Sequence, residues 1–180
     1  MRSNRFAVLT LAVLVLTASA VRASSWSTVG GTCVPDESDT RGAAPDWIVS
    51  GPGANDGRVV PSGVGGTGNV TLRCAITNPL DVGLVNPTWS TWEITYADTD
   101  GMAMNAQVTM SICATPKTPG PTVCALQFDS NALPVGIPNF VSGGIGVVWD
   151  FVNNYYFLEV ALNDFAGPPT SQFYGAALRD

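Results

Sequence analysis

The chain contains no histidine. That absence removes the Ser-His-Asp and Cys-His systems of nucleophilic catalysis as usually built, and His-ligated zinc with them. Charge is scarce as well: 12 % of residues are Asp, Glu, Lys or Arg, against ~25 % in an average soluble domain. The formal net charge is −6. Such a chain repels phosphate backbones and anionic lipid, which argues against nucleic acid as a partner. No apolar segment reaches the ~20 residues that a helical membrane span needs, and helical periodicity is missing after the first 23 residues. Cysteine is limited to Cys33, Cys74, Cys113 and Cys124. Their intervening stretches of 40, 38 and 10 residues do not supply the close pairs of a four-thiolate zinc site.

What is present begins with a leader. Arg2 and Arg5 precede an apolar run, Phe6 to Leu16, broken only by Thr10. Small residues follow at Ala18-Ser19-Ala20 and again at Ala23. This is the pattern of a secretory signal peptide over 1–23, with a mature N-terminus at Val21 or Ser24. Its removal leaves five basic residues against fourteen acidic ones, 5 − 14 = −9. The expected location is secreted, extracellular or periplasmic, with no membrane span after cleavage. In that setting an even cysteine count reads as two disulfides. Cys113 and Cys124 flank a Pro/Gly turn between two strands, so a hairpin brings them together. Cys33–Cys74 then follows by exclusion.

Residues 24–180 read as a single domain with a loop-rich start, 24–68. There, Trp47-Ile48-Val49 and Val59-Val60 suit brief edge strands. From Asn69 the pattern has period two. Val70, Leu72, Cys74 and Ile76 share one face; Trp92, Ile94 and Tyr96 share another. Such alternation marks half-buried strands. Asp98-Thr99-Asp100-Gly101 reads as a hairpin turn, returning through a strand from Met104 to Cys113. Cys124, Leu126 and Phe128 alternate next, then a Gly/Pro-rich loop is expected from Asp129 to Gly144. Ile145 to Val152 is nearly all apolar, as a central strand is. Asn153-Asn154 turns the chain into Tyr155 to Leu162, and Phe173 to Leu178 supplies a last strand. Eight or so short strands imply an all-β, two-layer antiparallel sandwich, jelly-roll or immunoglobulin-like.

Three features bear on function. Asp98-x-Asp100-Gly101 lacks the third ligand position and distal Glu of an EF-hand, so no cofactor is expected, although fourteen carboxylates leave open a structural calcium assembled from several loops. Glu93 and Glu159 lie mid-strand and are two of only three glutamates. Paired, they would make a glycoside hydrolase; solvated outward positions are the plainer reading, and no catalytic motif accompanies them. The aromatics say more. Trp47 and Trp89 are flanked by turn residues, where a ring can protrude and stack on a sugar. Trp92, Trp149 and Tyr156 read as core. The expected function is a secreted, non-catalytic domain binding a glycan or a cell-surface partner. The alternative is a structural or assembly domain of an envelope or matrix. Asn69-Val70-Thr71 is also a glycosylation sequon.

Overall fold

The computed structural model describes residues 25–36, 47–49, 58–61, 68–79, 86–165 and 171–180. The expected leader and much of the 24–68 stretch lie outside them. The described strands are β1 Ser25–Val29, β2 Val34–Pro35, β3 Trp47–Val49, β4 Val59–Pro61, β5 Gly68–Ile76, β6 Thr91–Asp98, β7 Ala106–Pro116, β8 Val123–Asp129, β9 Gly136–Gly144, β10 Asn154–Asp164 and β11 Ser171–Arg179. Among the described residues no helix is long and apolar enough to cross a membrane.

The protein is a two-layer antiparallel β-sandwich. The first sheet runs β3-β4-β11-β6-β9, with β1 also on β11; the second runs β2-β5-β10-β7-β8. The pairing has a simple logic. β7 pairs β8, β6 pairs β9, β5 pairs β10 and β4 pairs β11, all antiparallel. The chain is therefore one long hairpin of nested pairs. Rolling it up adds β7–β10 and β6–β11, and sends successive pairs to alternate sheets. That is a jelly roll. The immunoglobulin-like alternative is corrected: among the described strands from β4 onward, only β7 and β8 are consecutive and share a sheet.

The period-two residues meet between the layers. Trp92, Ile94 and Tyr96 of the first sheet face Val70, Leu72, Val108, Met110, Leu158, Val160 and Leu162 of the second, all buried. Burying each such side chain contributes roughly 1.5–3 kcal/mol. The disulfides are Cys33–Cys74, with Cys74 on this inner face, and Cys113–Cys124, which joins directly opposed residues of β7 and β8 on the outer face of the second sheet.

Several local expectations are corrected. The Asp98–Gly101 turn is real, but it is not a hairpin. It carries the chain from β6 in one sheet to β7 in the other. Its geometry comes from Asp98, whose carboxylate accepts from the Asp100 and Gly101 N–H groups at 3.2 and 3.0 Å. Gly101 has φ +61°, and a Cβ there would meet the Val135 nitrogen at 2.6 Å, so only glycine fits. The return strand begins at Ala106, leaving Met104 79 % exposed. Val59–Val60 is not an edge: β4 lies between β3 and β11.

Ile145–Val152 is not a central strand. Its residues are irregular, because its aromatics close one end of the sandwich instead. Trp149 donates its indole N–H to the Trp89 carbonyl at 3.0 Å, and Asp150 accepts from the Val152 and Asn153 N–H groups in a tight turn. Conversely, the loop expected over Asp129–Gly144 contains β9. Pro138 and the terminal glycines disguise it, yet an edge strand tolerates both.

Candidate functional site

The outer face of the first sheet carries a trough, and the strand registers build it. Across β1, β11, β6 and β9 the outward residues line up in rungs. One rung is Val29, Gly175, Thr95 and Phe140; the next is Ser27, Ala177, Glu93 and Ser142; the third is Ser25, Arg179, Thr91 and Gly144. The two central strands thus present small residues at Gly175, Thr95, Ala177 and Thr91, beside the longer side chains of Glu93 and Arg179. Val29 and Phe140 stand on either side of Gly175 and Thr95, 51 % and 58 % exposed. The groove has a volume of about 350 Å³, within the usual range of ligand sites.

Gly175 makes this arrangement possible. A Cβ at this position would meet the Thr28 carbonyl oxygen at 2.5 Å, so β1 can approach β11 only over glycine. A bulge at Tyr174 accompanies it, since the register with β6 shifts between Phe173 and Gly175. The bulge puts the Tyr174 ring at one end of the trough. Its hydroxyl donates to Gln172 Oε1 at 2.9 Å, and Arg58 Nη1 donates to both Gln172 Oε1 and Tyr174 Oη at 3.1 and 3.3 Å. At the other end Arg179 Nε donates to Glu93 Oε2 at 2.6 Å. The lining therefore combines an exposed aromatic face, hydroxyls and a neutralised ion pair. That combination suits a ligand both apolar on one face and rich in hydrogen-bonding groups.

The residues singled out from sequence are not brought together. Trp89 is buried, 2 % exposed, with its ring edge-on to Trp149 at 5.2 Å. The expectation that it protrudes is corrected: its neighbours Pro87 and Ser90 are turn formers, but the aromatic cluster of Trp149, Phe151 and Tyr156 covers it. Trp47 lies on edge strand β3, and its side chain is outside the described residues.

Glu93 and Glu159 occupy outer faces of different sheets. Glu93 holds Arg179, while Glu159 lies 3.5 Å from Arg73, which also binds Asp36 at 2.7 Å. Packed sheets lie ~10 Å apart and the outer faces lie beyond that, so these carboxylates cannot flank one glycosidic bond. The paired-carboxylate hydrolase is corrected on that ground.

Asp98 and Asp100 hold backbone. Asp100 accepts from the Asn105 and Ala106 N–H groups, and burial pushes the Asp98 carboxyl up from its ordinary value. The Asn131 amide, in the orientation its surroundings require, donates to the carbonyls of Ala106, Ala103 and Gly101 at 2.9, 3.2 and 3.2 Å.

Sequence reasoning missed Phe140, Tyr174 and Arg179. The available signal for Phe140 was an aromatic one residue from Asn139 in a Gly/Pro-rich stretch, which reads as a loop.

No protein-family model matches the chain, and no curated protein matches it. A solved structure described as that of a family two carbohydrate esterase from Cellvibrio japonicus superposes on 87 % of this chain with 9 % identity and a TM-score of 0.40. The aligned region covers 34 % of that protein, so this chain spans about a third of its length.

Proposed function

We propose that the protein is an exported, non-catalytic module that binds glycans in the trough on the outer face of the first sheet. The observation that carries this reading is the Val29–Gly175–Thr95–Phe140 rung, where an exposed phenyl ring stands beside the small residues Thr95 and Gly175. A sugar ring offers a flat C–H face to an aromatic and hydroxyls to polar neighbours. Phe140 serves the first; Thr95, Glu93 and Arg179 serve the second. The two disulfides support an oxidising, extracellular or periplasmic setting, where glycans are plentiful. A glycan array probed with the purified protein, alongside Phe140→Ala, tests the reading. Binding that the substitution abolishes supports it; an array with no ligand, or an unaffected variant, overturns it.

A second reading has its own observation. β8 is the outer strand of the second sheet, and Val123 and Leu126 are 67 % and 61 % exposed. From Val123 to Phe128 it carries no charge. Native edges are usually blunted by charge or proline, so this one suits assembly by strand addition. A concentration-dependent mass in sedimentation, lost on Leu126→Lys, would favour assembly; a monomer at all concentrations would remove it.

A further inference from the structure

We infer that the trough takes an internal stretch of an uncharged, linear polysaccharide lying along β11. This rests on the glycan reading and deepens it. Three observations give the ligand its direction, length and charge.

Direction comes from where the tall side chains stand. Val29 and Phe140 stand on either side of one rung, and the lining follows β11 from Tyr174 to Arg179, so the trough runs along β11. The large residues at the ends are pinned. Arg179 is drawn sideways to Glu93 on the neighbouring strand, and the Tyr174 hydroxyl is held by Gln172 and Arg58. Held to these neighbours, neither side chain is free to swing across an end, and a chain leaving at both ends is what the inference requires. A site for chain termini needs the opposite, a blind end that reads the terminal hydroxyls.

Length comes from the strand. Tyr174 to Arg179 is five steps along β11, which at ~3.4 Å each gives ~17 Å. That distance accommodates about three sugar rings end to end, flanked at one rung by Val29 and Phe140 three strand spacings, or ~14 Å, apart.

Charge comes from the lining and from the chain. Among the described residues lining the trough Arg179 is the one cation, and Glu93 neutralises it at 2.6 Å. The chain's net charge is −6. A polyanionic glycan would meet no unpaired cation among the described lining residues and a repulsive field around them. A neutral one loses nothing by that arrangement and gains paired donors and acceptors from the Glu93–Arg179 couple.

Titration calorimetry with the purified protein tests this with cello- and manno-oligosaccharides of one to six residues, the corresponding neutral polymers, and polygalacturonate. Affinity is expected to rise on the order of tenfold or more from the monosaccharide to the trisaccharide and then to level off. Reducing the terminal sugar of a long oligomer should change affinity less than about twofold, and polygalacturonate should not compete. A monosaccharide bound as tightly as the hexamer, sensitivity to the reduced end, or stronger binding of polygalacturonate overturns the inference while leaving glycan binding in place. Failure of every sugar, neutral or acidic, overturns the glycan reading itself. Phe140→Ala should weaken binding at all lengths equally. A loss confined to one length would place the ligand elsewhere.

Discussion

The Ser130 hydroxyl donates to the buried carboxylate of Asp98 across 2.5 Å, and the same hydroxyl oxygen accepts the Val108 N–H at 2.8 Å. Asp98 ends a strand of the first sheet; Ser130 and Val108 belong to the second layer. The crossing turn is thus tied to both layers by one side chain.

Ser130→Ala leaves the Val108 N–H and one Asp98 oxygen buried without this partner. The expected loss is about 1–3 kcal/mol of unfolding free energy, since stranding a buried polar group forfeits its full desolvation. Urea denaturation measures it, and a change below roughly 0.5 kcal/mol would mean the node is solvated.

Asp98 also sets a pH dependence. Burial pushes its carboxyl above the ordinary Asp value of 3.8, beyond what its Ser130 and backbone hydrogen bonds lower it. The folded state therefore holds this proton more tightly than the unfolded chain. Its contribution is fully present below 3.8 and is lost as pH rises through the raised folded value. Asp150 has the opposite sign. Hydrogen bonds from Asn153 hold its carboxyl down, so its contribution is present above 3.8 and lost as pH falls. Asp98→Asn should remove the decline on the rising side, and Asp150→Asn the decline on the acid side. Melting curves from pH 3 to 7 separate them; identical profiles for Asp98→Asn and the parent would contradict the assignment.

The two disulfides should differ in worth. Their sequence separations are 41 for Cys33–Cys74 and 11 for Cys113–Cys124. In a chain-entropy model, replacing each pair by alanine lowers stability by about 4 and about 3 kcal/mol respectively. Calorimetry of the two double variants checks the order; equal losses would point to structure retained in the unfolded chain.

Trp89 and Phe140 should respond in opposite ways. Trp89→Ala empties a site inside the aromatic end cluster and should destabilise by about 3–5 kcal/mol. Phe140→Ala should leave the fold within ~0.5 kcal/mol and weaken glycan binding by more than ~1 kcal/mol, about fivefold. Melting temperature and a binding isotherm on both variants decide it. A Phe140→Ala variant that loses several kcal/mol of stability yet, while folded, binds as the parent does would reverse the roles.

Glu93→Gln and Glu159→Gln should both fold as the parent does, because each carboxylate sits on an outer face in a partly exposed ion pair worth ~0–1 kcal/mol. Thermal melts within a few degrees of the parent bear that out; a large drop would show that one of these pairs is more than surface contact.

The alternation of Val70, Leu72, Cys74 and Ile76, or of Trp92, Ile94 and Tyr96, determined by itself that these segments are strands with one buried face. A side chain every second residue leaves little other choice. The Pro/Gly turn between two such strands determined that Cys113 and Cys124 come within reach. Local pattern does not say which strands become neighbours. The Asp98–Gly101 turn looks the same whether it closes a hairpin or crosses between sheets, and only the rolled-up pairing of β6 with β9 and β11 made it a crossing. The trough is of the same kind. Val29, Gly175, Thr95 and Phe140 come from four strands spread over more than a hundred residues, and each is unremarkable in its own segment. Register alone put a phenyl ring, a hydroxyl and a glycine side by side. Trp89 makes the converse point. Its flanks promised exposure, but burial depends on what packs over a residue, and Trp149 arrives from sixty positions away.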